Sequence, residues 1–147
     1  MRSDTLLFLH VLAAMLLLGS ATTVAIALLA LTRRLDSIDS CSLLVRLAYR
    51  LNLLLTIPLA VASIGLGEGL RAKEDATGSW LDVGSGLTYV AVLVGALVLH
   101  GFLRRALAAT QVGVAPSAST MRGAASIAPA IVAALLVIAF LMTGKPA

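Results

Sequence analysis

The chain has 147 residues, 60% of them hydrophobic and only 12% charged, and its mean hydropathy is +1.04. Such a composition lies outside the range of water-soluble globular domains, and the apolar stretches leave no room for a separate soluble module. The net charge of +4 does not point to nucleic acid, because the basic residues cluster at the ends of apolar stretches rather than along one exposed face; lipid phosphates are the partners it implies. Cys41 is the single cysteine, which excludes a disulfide framework or a cysteine-based metal cluster within one chain.

The first predicted helix covers about residues 5–31, is free of proline and ends at Arg33-Arg34. It is too long for the apolar region of a signal peptide and runs into arginines rather than a small-residue cleavage site, so it reads as a span. The second helix is predicted over about 40–69, with Asp39 or Ser40 as its cap. Arg46 and Arg50, four residues apart, share a face from which both reach headgroup phosphates. Pro58 removes a backbone donor inside the apolar part, which predicts a kink and a freed Leu54 carbonyl that Thr56 or a neighbouring helix must satisfy. The Gly65, Gly67, Gly69 cluster predicts the end of this helix and an exposed loop from Arg71 to Gly78.

Ser79-Trp80-Leu81-Asp82 fits a capped start of the third helix, predicted over about 80–104 with Trp80 at the interface. This helix is expected to stop against Arg104-Arg105. A connector containing Gly113, Pro116, Ser117 and Ser119 then leads to the fourth helix, about 122–143, which contains Pro129. The fold class is therefore all-α, a single four-transmembrane-helix bundle covering 1–147.

The connectors and flanks between helices one and two and between three and four hold seven of the eleven Lys and Arg residues, while Arg2, Arg71, Lys73 and Lys145 lie on the other side. By the positive-inside rule the arginine-rich side is cytoplasmic and both termini are extracytoplasmic. His10 then lies about 8 Å inside the outer surface, whereas His100 lies one turn before Arg104 in the opposite leaflet. The two are about 15 Å or more apart along the membrane normal, too far to share one metal ion or one haem. His100 is expected to snorkel towards the headgroups.

An ionisable residue within a span is costly and rare, so His10 is the leading candidate for function. Its helical face continues through Ala13, Ala14, Leu17 and Ala21, small enough to admit a neighbouring backbone. At the same depth the other helices offer Glu68, Trp80, Asp82 and Lys145. Three readings stay open: a bond to a backbone carbonyl that stitches two helices, a ligand or cofactor site, and proton transfer. No metal-ligand spacing, phosphate-binding glycine loop or serine nucleophile motif is present, and Met15, Met121 and Met142 form no spaced cluster.

Leu9-His10-Val11, Gly19, Thr56-Ile57-Pro58, Trp80-Leu81, Leu141-Met142 and the terminal Lys145-Pro146 resemble, in order and over nearly the whole chain, a family of predicted bacterial integral membrane proteins of unknown function. That family is similar in layout to copper-resistance D-type proteins and J-type protoporphyrinogen oxidases. The resemblance implies copper handling, or haem b with redox chemistry on a porphyrinogen, and it transfers to His10 and Lys145. The oxidase pattern pairs its histidine with a methionine one turn later. Position 14 here is Ala14, and Met15 points to a different face.

The expectation is a protein of the bacterial cytoplasmic (inner) membrane that binds a haem-like, metal or other small ligand in an outer-leaflet pocket. His10 would be the ligand or proton acceptor, with Glu68 and Lys145 as charge partners. The bilayer, a second copy of the chain or other membrane proteins are the expected partners. The alternatives are a non-catalytic accessory or assembly subunit, and a proton-coupled carrier acting as an oligomer.

Overall fold

The computed structural model describes residues 3–33, 38–74, 86 and 88–143. Among them the chain forms four long helices and no strand. Helix α1 is Ser3–Arg33. Helix α2 runs on through Ile38–Leu51, a π-helical turn at Asn52–Thr56, and Ile57–Glu74. Helix α3 opens with a π-helical stretch, Thr88–Val94, and continues as Gly95–Gln111, and helix α4 is Ala118–Thr143. Each is long and apolar enough to cross a membrane.

Helices α1 and α3 each pack against both α2 and α4, and the diagonal pairs barely touch. The result is a four-membered ring in chain order, as short helix-to-helix connections favour. Its interior is rich in small residues such as Ala21, Ala25, Ala60, Ala96, Ala124 and Ala128, whereas Phe8, Met15, Ile26, Leu43, Leu54 and Phe140 are exposed on the outside. Small residues let backbones approach where water supplies no driving force, and large apolar groups on the rim suit a lipid surrounding. The first part of α2 differs. Cys41, Val45 and Ala48 face inward at helical spacing while Arg46 and Arg50 are exposed, which is the pattern of a helix face in contact with water.

Four predicted boundaries move. Helix α2 does not end at its glycines but continues to Glu74. Glycine weakens a helix in water by about 1 kcal/mol, but away from water the backbone has no alternative partner and the helix persists. Asp39 and Ser40 lie inside the first turn of α2 rather than at its cap. Helix α3 passes Arg104 and Arg105, because Leu99, Leu103, Ala106 and Thr110 continue one buried face while the arginines point outward.

It ends where Gly113 takes a positive φ of 74° and the Gly113 and Val114 amides bond back to the Thr110 and Ala109 carbonyls at 3.2 and 3.0 Å. This six-to-one and five-to-two pair is the Schellman closure that glycine permits. Helix α4 starts earlier than predicted because Ser117 caps it, its hydroxyl accepting from the Thr120 amide at 3.2 Å.

The distortion expected from Pro58 takes the form of the wide turn just before it, where the Ile57 amide bonds the Asn52 carbonyl five residues back. Thr56 lies 3.5 Å from the Leu51 carbonyl rather than serving Leu54.

Candidate functional site

His10 stands on α1 between turns that bury Ala13, Leu17 and Ala21, so its face is turned towards the bundle as the spacing predicts. Its ring is half-buried against α2, and Nδ1 lies 3.0 Å from the Ser63 carbonyl. A carbonyl can only accept, so Nδ1 carries the proton and donates, which leaves Nε2 of the neutral ring as a lone-pair acceptor. Nε2 has no partner among the described residues. One turn beyond Ser63, Gly67 supplies the space for the ring: a Cβ there would sit 3.1 Å from His10 Cε1. Two main-chain features of α2 thus fix the tautomer and the seat of the imidazole.

Glu68, next to Gly67, is half-buried at the same level. No hydrogen bond or ion pair joins it to His10 among the described residues. Lys145, Trp80 and Asp82 lie outside the described residues. No group of three or more His, Cys, Asp or Glu side chains that could hold a metal ion occurs among the described residues. Met15 is 68% exposed on the outer surface, away from His10.

Further along the same face, Ser20 of α1 meets Thr56 of α2 at 3.2 Å, and Ser20 lies 3.0 Å from the Leu17 carbonyl. Each hydroxyl has one proton. With Ser20 donating to Leu17, Thr56 donates to Ser20, and the longer contact from Thr56 to Leu51 is left as a weak polar approach.

At the far end Asn52, fully buried, donates from Nδ2 to the Ala96 carbonyl of α3 at 3.0 Å. One turn on from Ala96, His100 lays its ring against Tyr49, with centroids 5.0 Å apart and planes tilted by 31°. Where the sequence leads one to expect His100 to snorkel, the ring is half-buried and its Nδ1 is buried without a partner among the described residues. Aromatic contact with Tyr49 holds the ring against α2.

Tyr49, Asn52, Thr56, Ser63 and Gly67 all fall on one face of α2, at steps of three, four or seven residues. Along that face the His10 and His100 contacts are roughly 20 Å apart, in line with the separation predicted from sequence. Ser63, Gly67, Asn52 and Tyr49 are the residues that sequence reasoning missed. Asn52 carried a usable signal, a lone amide within Leu51-Asn52-Leu53-Leu54-Leu55. Compared with protein-family models, with curated proteins and with solved structures, the chain matches none.

Proposed function

We propose that the chain is a multi-pass protein of the bacterial cytoplasmic membrane, with both termini extracytoplasmic, that binds a cofactor or small ligand through His10 Nε2. The observation that carries this reading is the 3.0 Å bond from Nδ1 to the Ser63 carbonyl, made in the space left by Gly67. A ring anchored through one nitrogen on a carbonyl presents the other in a fixed orientation, which is how ligating histidines are held. The excess of Lys and Arg on the connections between α1 and α2 and between α3 and α4, counted with the helix ends that flank them, supports the orientation.

Haem is one of the two groups that the resemblance implies, copper being the other, and His10 Nε2 is the atom that would hold it. When bound, haem supplies one-electron redox chemistry. The chain's own part would be to orient Nε2 through the bond that Nδ1 donates to the Ser63 carbonyl and to offer Glu68 as a charge partner beside Gly67. His100, roughly 20 Å away along α2, and Met15, on the outer surface, would not join His10 in holding the group.

The absorption spectrum of protein purified from haem-replete cells tests the haem form of this reading. The expected result is a Soret band that is lost in His10→Ala. A second reading, a non-catalytic accessory or assembly subunit, is favoured by the fact that the His10–Ser63 bond by itself joins α1 to α2. Wild-type protein with no Soret band and no metal by elemental analysis would overturn the haem form and favour that reading instead.

A further inference from the structure

We infer that the α2–α3 crossing holds a second, internal site, occupied by one water molecule that bridges Asn52 and His100. The inference does not depend on what His10 binds.

Among the described residues two side-chain atoms are buried without a hydrogen-bond partner, Asn52 Oδ1 and His100 Nδ1. Both belong to the same crossing. Asn52 is tied through Nδ2 to the Ala96 carbonyl at 3.0 Å, and Ala96 is one turn before His100 on α3. His100 in turn packs on Tyr49, about one turn before Asn52 on α2. The orphaned acceptor and the orphaned ring nitrogen therefore occupy neighbouring rungs of an antiparallel pair. Adjacent turns stand about 5 Å apart. No direct hydrogen bond joins the two atoms, and one oxygen making two bonds of about 2.8 Å spans a gap of about that size.

The chemistry of the two atoms selects the guest. Oδ1 only accepts, so the guest must donate; Nδ1 donates or accepts according to tautomer, so the guest can use either role. An anion would face the Oδ1 lone pairs. A cation would sit within about a turn of Arg50 and Arg104, both exposed at this level of the bundle. A small neutral molecule that donates and accepts meets both conditions, and water is the one of that size. Two polar partners are also the fewest that a buried water normally uses. The π-helical turn that begins at Asn52 belongs to the same place, since a wide turn loosens the backbone next to the site.

Magnetisation transfer from water to the carbon-bound ring protons of His100, measured on isotope-labelled full-length protein in lipid nanodiscs, tests the site. The expected result is clear transfer in the wild-type protein and its loss in Asn52→Leu, with Asn52→Ala as a second variant should the first not fold. Absence of transfer in the wild-type protein would overturn the inference, whether or not an Nδ1–H signal revealed a direct bond to Asn52. So would transfer that persists unchanged in a folded Asn52 variant.

Discussion

The two histidines, one on α1 and one on α3, both pack against α2 but are held by different means. His10 is held by main chain: a carbonyl takes its Nδ1 proton and a glycine provides its seat. His100 is held by side chain, its ring resting on Tyr49 while Nδ1 has no protein partner. Main chain is the stiffer support, because α2 cannot move the Ser63 carbonyl without breaking its own turn. The contrast shows why an inward-facing histidine is not one kind of object. The first has a defined tautomer and one nitrogen oriented for use; the second has a tautomer set by whatever meets Nδ1.

The sharpest way to break the main-chain seat is Gly67→Val, which places methyl groups where the ring lies. Overpacking of this kind should cost about 1–3 kcal/mol in reversible unfolding in detergent. Gly65→Val, where nothing lies within 4 Å, should cost distinctly less, and equal losses would show that the seat has no special role.

The side-chain support is tested by Tyr49→Leu. Loss of the aromatic contact is expected to cost about 0.5–1.5 kcal/mol in the same assay, with the His10 ring resonances unmoved. A shift at His10 would mean that the two ends are coupled. Between them Ser20→Ala should have the smallest effect, about 0.6 kcal/mol, the average for hydrogen bonds between membrane helices. Thr56, which donates to Ser20, keeps the Leu51 carbonyl at 3.5 Å as a fallback.

The four helices were legible because uninterrupted apolar length is a property of sequence alone. Their ends were less so. Glycines and arginines that would stop a helix in water do not stop one whose buried face continues, as Leu103, Ala106 and Thr110 show beyond His100. The inward direction of His10 could be read from Ala13, Leu17 and Ala21 at helical spacing. Its partners could not. Ser63 contributes a carbonyl that every residue possesses, and Gly67 contributes the lack of a side chain. Asn52 stood out as an amide among leucines, but its pairing with Ala96, and that of Tyr49 with His100, depend on how α2 and α3 are aligned, which no local pattern encodes.

The length of α2 has one more consequence. From Ile38 to Glu74 it measures roughly 55 Å, whereas a hydrocarbon core is about 30 Å thick, so in the proposed membrane setting its amphipathic first turns would project beyond the lipid. Cys41, the sole thiol of the chain, lies buried within that projecting stem. An impermeant maleimide can reach it only when the stem opens and only from the compartment the stem faces. The rate of labelling in sealed vesicles therefore measures how often the stem breathes, and the side from which labelling succeeds reports which way the chain is inserted.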